Sequence, residues 1–182
     1  MPLWEYKDII DLSRIPRRGK YLRYYLLGFI DAEGCFSVSI KKLKTAKFGY
    51  VLDPVFTLTQ HKQNRVVLEL LKRTLNAGRI IEKSGQKDLL VFVIDNRRLL
   101  REKLINFLDK YKPIVKWEDY QKFKEIVLAM EQGEHRTREG FERLVKLAYE
   151  MNMQGKQRRY KLKEILSPMG SSETVRRASP EQ

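Results

Sequence analysis

Two carboxylates, Asp31 and Glu33, close a stretch of the chain that carries no charge from Tyr24 to Ile30. The apolar run is typical of a short buried helix, and Glu33 would then lie in its last turn. The helix dipole presents its negative end there, so a carboxylate at this position favours a nearby cation. Carboxylate oxygens are hard ligands that suit Mg²⁺, and a carboxylate-bound Mg²⁺ can activate water in phosphodiester hydrolysis. Glu33 is therefore a candidate metal ligand, and simple solvation of both acids is the alternative.

Histidine and cysteine offer little chemistry in this sequence. His61 and His135 are the only histidines, so a histidine-rich metal site is poorly supplied, and His61 is predicted to be a surface or hydrogen-bonding residue. Cys35 is the only cysteine, which excludes an internal disulfide and a zinc site built on cysteines. We expect Cys35 to be a small buried side chain beside the helix end.

Gly28 and Ala32 lie four residues apart and so share one stripe of the predicted helix. Small side chains in such a stripe allow a second backbone to approach closely, as they do where two helices touch. Leu26, Phe29 and Ile30 would point the other way, into the chain's own core. The pattern indicates a helix with packing partners on two sides.

The 182 residues include 37 Lys and Arg against 23 Asp and Glu, a formal net charge of +14. This imbalance indicates a polyanionic partner, with nucleic acid as the first candidate and an anionic membrane surface as the second. A membrane partner is disfavoured because the basic residues are spread over strand-like and helical segments, and the apolar run is too short to cross a bilayer. Glu5, Asp8 and Asp11 argue against a signal peptide, so we expect an intracellular protein.

Changes of hydrophobic period divide the chain into helices and strands. The first helix is predicted from about residue 20 to Gly34, a strand from Cys35, and a second strand, with an edge or bend at Pro54, over residues 50–60. A helix at residues 63–76, strands at 79–84 and 89–94, and a helix at 96–111 capped by Asp95 or Asn96 follow. Helical periods recur at residues 117–130, 137–152 and 157–166.

This αββαββα order predicts an α+β fold in which one four-stranded antiparallel sheet carries helices on a single face, with extra C-terminal helices. Residues 20–166 would form the domain, residues 1–19 an N-terminal extension and residues 167–182 a flexible tail. The open face of the sheet would be polar and basic and form a saddle for double-stranded DNA, with an ordinary solvated face as the alternative. The residues predicted to contact DNA are Ser37, Ser39, Lys41, Lys42, Lys44, Thr57, Thr59, Arg79 and Lys83.

The letters LLGFIDAEG at residues 26–34 resemble the signature of the LAGLIDADG homing endonucleases. Leu27, Phe29 and Glu33 depart from the signature, and the other six residues match it. Gln60, 27 residues after Glu33, stands where members with a single motif carry an active-site glutamine, and Lys116 resembles the family's metal-site lysine. The C-terminal segments at residues 138–141, 151–152 and 158–159 also resemble the tail helices of members from rRNA introns.

The resemblance implies roles for individual residues. Glu33 would bind Mg²⁺, and Gln60 and Lys116 would orient water or hold the scissile phosphate. Gln60 could instead cap the next helix, and Lys116 could be a plain surface charge. Asn64 stands where some relatives have an arginine, with Arg65 as a possible substitute.

A single motif implies a homodimer in which Gly28 and Ala32 pair with the same residues of a second copy, which brings two Glu33 carboxylates together. The implied function is a site-specific, intron-encoded endonuclease that makes a metal-dependent double-strand cut in a long, roughly palindromic DNA target. A maturase that binds its own intron RNA and a DNA-binding regulator without cleavage are the alternatives. The chain would act in the cytoplasm at the nucleoid or in an organelle. The role of Asp31 stays open between the metal site and the helix ends.

Overall fold

The computed structural model describes residues 19–151 and 159–167 of the chain. Residues 1–18 of the predicted N-terminal extension, residues 168–182 of the predicted tail and small parts of the last two predicted helices lie outside these residues. The observed helices are α1 Gly19–Glu33, α2 Arg65–Leu75, α3 Arg97–Leu99, α4 Asn106–Lys110, α5 Trp117–Glu131, α6 Arg138–Tyr149 and α7 Leu162–Leu166. The strands are β1 Gly34–Lys42, β2 Tyr50–His61, β3 Arg79–Lys83 and β4 Gln86–Ile94.

Helix α1 passes directly into β1, as the glycine after the two acids predicts. A side chain at Gly34 would collide with the backbone carbonyl of Ile30 and approach the ring of Phe56 to 3.1 Å. Leu26 and Ile30 are fully buried and anchor α1 to the core, while Phe29 is only half-buried. The turn at Gly34 therefore fixes α1 against the first strand.

The four strands form one antiparallel sheet in the order β1-β2-β4-β3, which confirms the predicted fold class. Alternate residues of β1 and β2 are buried, and the buried series includes Phe36 and Phe56. Strand β2 pairs with β1 from Tyr50 to Leu58 but with β4 only from Phe56 onward. Pro54 thus lies where one side of β2 has no partner strand, so its missing N–H interrupts no ladder on that side.

All helices that contact the sheet share one core with its buried side chains. The opposite face, which we call the open face, carries the alternate residues of each strand. No helix among the described residues is both long enough and apolar enough to cross a membrane.

The helix predicted at residues 96–111 shows a departure from regular geometry. Between α3 and α4 the backbone is π-helical over Leu100–Ile105, a register that a simple 3.6-residue period does not predict. Of the two predicted caps, Asn96 is the one that acts, because its side chain accepts a hydrogen bond of 3.1 Å from the Leu99 amide.

Candidate functional site

Glu33 is the last residue of α1, and its side chain is exposed. Among the described residues its carboxylate has no hydrogen bond or ion pair. The pairing of Gly34 with Leu58 brings Gln60, near the end of β2, to the same end of the sheet. A carboxylate and a side-chain amide therefore lie close to the turn that follows α1.

The side chain of Gln60 is held by Asn64, four residues later in the chain. Asn64 Nδ2 donates a hydrogen bond of 3.1 Å to Gln60 Oε1, which leaves the amide nitrogen of Gln60 available. His61, rather than Gln60, caps the next turn, because its Nδ1 accepts a hydrogen bond of 3.3 Å from the Gln63 amide. The hydrogen-bonding role predicted for His61 is thus observed.

Arg65, the possible substitute for the arginine expected at Asn64, forms an ion pair within its own helix. Its guanidinium pairs with Glu69 at 3.0 Å, one turn further along α2, where that carboxylate is almost buried. An arginine and an acid four residues apart on one helix face are well placed for such a pair. The role of Arg65 in the site stays a prediction.

Asp31 accepts three backbone hydrogen bonds from the loop before α5. Asp31 Oδ2 accepts from the amides of Ile114 at 2.9 Å and Val115 at 3.0 Å, and Oδ1 accepts from the amide of Lys116 at 2.9 Å. Burial would raise the pKa of this carboxyl, but the three amides and the charge of Lys116 outweigh it, so the pKa lies below its usual value of 3.8. Asp31 therefore anchors the loop that carries Lys116.

The loop anchored by Asp31 places Lys116 at the C-terminal end of α1. The pKa of the Cys35 thiol is raised, chiefly because the protein partly shields the sulfur from water. The charge of Asp119 raises it as well, whereas the charge of Lys116 and a hydrogen bond with Thr57 lower it, so all three side chains lie near Cys35. Cys35 follows Glu33 by two residues, which brings Glu33 and Lys116 to one region. The expectation that Cys35 is buried was wrong: it alternates with buried Gly34 and Phe36 and so lies on the open face.

The acids within the described part of one chain do not form a complete metal site. No group of three His, Cys, Asp or Glu side chains in the described part of the chain could hold a metal ion. Glu33 nevertheless fits one, because its carboxylate is an exposed, unpartnered hard ligand at a helix end where a cation is favoured. Further ligands would have to come from a second copy, from DNA or from water.

One face of α1 has no packing partner within the described chain. Tyr21 and Tyr25 are 79% and 44% exposed, and Gly28 and Ala32 continue the same stripe. A side chain built at Gly28 would meet no atom within 4 Å. We call these four residues the α1 stripe, and its small members leave room for another backbone.

The open face is less basic than the sequence predicts, because two of its cations are neutralised. Lys41 forms an ion pair with Asp53 across the β1–β2 pair. Arg79 binds both oxygens of Asp95 at 2.7 and 2.6 Å, an arrangement that raises the pKa of Arg79 and lowers that of Asp95.

The other predicted DNA contacts differ in how free their side chains are. Ser37 Oγ donates a hydrogen bond of 3.3 Å to the Val55 carbonyl, and Thr57 is hydrogen-bonded to Cys35. Thr59 is half-buried on the open face. The exposed members without an ion pair among the described residues are Ser39, Lys42, Lys44 and Lys83.

Two residues of this region carried little sequence signal. The role of Asp31 depends on a contact with residues more than 80 positions away, which no local pattern reveals. Asp119 could have been noticed, since it lies three residues after Lys116 and so on the same side of α5.

The chain is similar to known endonucleases in both sequence and structure. The sequence model of the LAGLIDADG endonuclease family matches residues 26–127. The DNA endonuclease I-CeuI of Chlamydomonas moewusii is 41% identical over 104 residues, 57% of this chain but only 47% of that protein. The homing endonuclease I-ApeII of Aeropyrum pernix is 37% identical over 115 residues, 63% of this chain and 68% of that one.

A solved structure matches over a larger part of the chain. The archaeal intron-encoded homing endonuclease I-Vdi141I, complexed with DNA, has a TM-score of 0.75 and 48% sequence identity. The match covers 81% of this chain and 93% of the solved one.

Proposed function

Because the chain belongs to the LAGLIDADG endonuclease family, we propose that it is an intron-encoded, site-specific DNA endonuclease. Two copies would form the active enzyme and cut both strands of a long, roughly palindromic target with Mg²⁺. Residues 20–166 would form the catalytic domain, flanked by the extension and the tail. The observation that carries the proposal is the unpartnered Glu33 carboxylate at the end of a helix whose outer stripe is uncovered.

Double-stranded DNA is the partner that suits the open face. The chain has a formal charge of +14, and exposed lysines surround the strand ends of this face. Phosphate contacts from such lysines would position the duplex, while the polar side chains of the strands would read base edges. The similar I-Vdi141I was solved in complex with DNA.

A second copy of the chain would complete the site through the α1 stripe. Glycine in a helix interior lowers stability by roughly 0.5–1 kcal/mol relative to alanine. Because one copy of the chain has room for a side chain at position 28, the glycine there indicates a close contact in the dimer. Ile114 and Val115 are 85% and 82% exposed beside the same helix and would add apolar area. A two-fold axis at Gly28 and Ala32 would bring the two Glu33 carboxylates together.

The side chains at the foot of α1 have distinct tasks in hydrolysis. The two Glu33 carboxylates would hold Mg²⁺, which when bound would polarise the phosphate and favour hydroxide formation from water. Lys116, positioned by Asp31, would offset negative charge that develops on the scissile phosphate. The free amide nitrogen of Gln60 would donate a hydrogen bond to the attacking water or a phosphate oxygen while Asn64 holds its carbonyl oxygen.

The test is cleavage of DNA from the uninterrupted host locus with Mg²⁺. We expect the wild-type chain to make a double-strand cut and Glu33→Gln to bind the same DNA without cutting it. Glu139→Gln, which changes an exposed acid on α6, serves as the matched control and should cut normally.

Other outcomes would overturn the proposal. Tight binding without any cut in Mg²⁺ or Mn²⁺ would indicate a DNA-binding regulator. Faster splicing of the intron RNA in the absence of a cut would indicate a maturase.

A further inference from the structure

A cavity, which we call the notch, lies beside the first half of β2, the part that has no pairing with β4. Strand β4 stops at Ile94, opposite Phe56, whereas β2 extends back to Tyr50. The connection between α5 and α6 borders the notch on the other side, and the half-open cavity measures about 570 Å³. The charged residues and the histidine that line it are Lys47, Asp53, Asp95, Arg97, His135 and Arg136.

Within the described residues, the arginines that line the notch have no anionic partner. Its two acids are already paired with cations that do not line it. Within residues 19–151 and 159–167, neither Arg97 nor Arg136 forms an ion pair. Asp95 is bound by Arg79 and Asp53 by Lys41, and neither of these cations lines the notch. The local charge is therefore positive and uncompensated.

Lys47 adds to this positive charge and fixes the wall of the notch. Its ammonium donates a hydrogen bond of 3.1 Å to the backbone carbonyl of Arg136, so the β1–β2 turn is tied to the α5–α6 connection. The two sides of the notch are thus held together before any ligand binds. A preorganised site loses less entropy on binding.

His135 contributes a polar atom that has no partner. Its Nδ1 is buried and, within the described chain, makes no hydrogen bond. Burial lowers the pKa of His135, and the charges of Arg97 and Arg136 lower it further against the opposing effect of the Met130 backbone. His135, Arg97 and Arg136 thus line the same cavity, where the two positive charges disfavour protonation of the ring.

We propose that this notch binds one phosphate group of the DNA backbone, beyond the residues of the open face. The guanidinium groups of Arg97 and Arg136 offer paired N–H donors suited to phosphate oxygens, and His135 can donate from Nδ1 once its ring is protonated. The site would position the duplex without reading its sequence. The inference rests on the proposed DNA-binding function and adds a contact from the α5–α6 connection, outside the sheet.

The test measures how salt weakens binding of the full chain to a long mixed-sequence duplex. Removing one phosphate contact reduces the slope of log affinity against log salt by about 0.9. We expect the slope of the Arg97→Ala/Arg136→Ala double variant to fall by about this amount and its binding at fixed salt to be roughly tenfold weaker. Arg98→Ala removes a neighbouring exposed charge that does not line the notch and should leave both values nearly unchanged.

Histidine NMR on the wild-type chain gives a second measurement that does not depend on how the double variant folds. The resonance of His135 is assigned by its absence in His135→Gln. Duplex binding should raise the pKa of His135, because an anion between the arginines favours the protonated ring.

An unchanged salt slope in a folded double variant would overturn the inference. A shift of His135 with inorganic phosphate but not with the duplex would overturn it as well, because the notch would then hold free phosphate only. Failure of the wild-type chain to bind any duplex would instead overturn the proposed function, so the two failures are distinguishable.

Discussion

At the scale of single residues, the two acids of the motif have different environments. Glu33 is exposed and unpartnered among the described residues, whereas Asp31 accepts three backbone hydrogen bonds from the loop before α5. One carboxylate is therefore available for a ligand, and the other is committed to structure. Two residues of nearly equal chemistry, two positions apart, thus have separate tasks.

Replacing Asp31 by Asn should impair cleavage through the position of Lys116. Asparagine keeps one acceptor oxygen, so its NH₂ group would face at least one loop amide and leave it unpaired. We expect the cleavage rate to fall at least tenfold and the free energy of unfolding to fall by about 1–3 kcal/mol. Single-turnover cleavage and urea denaturation measure the two effects.

Asp88→Asn, an exposed acid in the β3–β4 hairpin, is the control and should change neither quantity. A fully active Asp31→Asn variant would contradict the positioning role.

The low pKa of Asp31 also predicts a dependence of stability on pH. Because the folded pKa lies below the unfolded value, the ionised carboxylate stabilises the fold above about pH 4, and this stabilisation disappears as pH falls through the folded pKa. The unfolding free energy of Asp31→Asn should therefore decline less on acidification than that of the wild type. If the free energy of unfolding declined equally in both proteins as the pH falls, Asp31 would not contribute to the pH dependence of stability.

At the scale of elements, one face of α1 packs on the core and the other is exposed. Leu26 and Ile30 are fully buried in the core, whereas the α1 stripe is uncovered within the described chain. Gly28 and Gly34, the two glycines of the motif at residues 26–34, consequently have different structural roles. Gly34 is required by the chain's own turn, and Gly28 by nothing within the described chain.

Alanine substitutions at the two glycines should have opposite effects on the monomer. Gly28→Ala should stabilise the helix by up to about 1 kcal/mol and weaken self-association, since its side chain enters open space in one copy but a close contact in the dimer. Gly34→Ala should destabilise the fold, because the added methyl meets the Ile30 carbonyl. Urea denaturation and sedimentation equilibrium measure the two properties. Undiminished self-association of Gly28→Ala would argue against a close contact at this glycine.

Helix α5 is tied to the π-helical segment and α4 by one buried hydroxyl. Tyr120 donates to Asp109 at 2.6 Å and lies 3.2 Å from the Ile105 carbonyl. Tyr120→Phe should lower the free energy of unfolding by about 1–3 kcal/mol, because it removes a charge-assisted hydrogen bond from a buried place. Urea denaturation checks this value, and Tyr21→Phe, on an exposed side chain, should change it little.

At the scale of the whole molecule, the described part of a single copy supplies only part of a candidate metal site. It has a sheet face suited to DNA and one candidate metal-binding carboxylate, but no group of acids that could hold a metal among its described residues. Completion by a second copy would make activity depend on association.

The cleavage rate should therefore rise with about the square of chain concentration wherever the chain is mainly monomeric. Initial rates over a dilution series, beside sedimentation measurements of the monomer fraction, test this dependence. A strictly proportional rate in the monomeric range would indicate that one copy suffices.

The sequence by itself determined the order of elements, the inward and outward faces of the strands and the residues of the motif. These features follow from local rules: alternation in strands, the helical period, and glycine where a backbone turns or approaches closely. The burial of Phe36 and Phe56 and the turn at Gly34 could be predicted in this way. The family resemblance supplied the roles expected of Glu33, Gln60 and Lys116.

Only the tertiary structure decided which distant groups meet. Asp31 reaches a loop more than 80 residues away, and Arg79 is bound to Asp95, which follows another strand. The notch around His135 likewise depends on how separate elements end beside one another. Hydrophobic periodicity records which side of an element is buried, but the pairing of charged groups depends on distances that arise only when the chain packs.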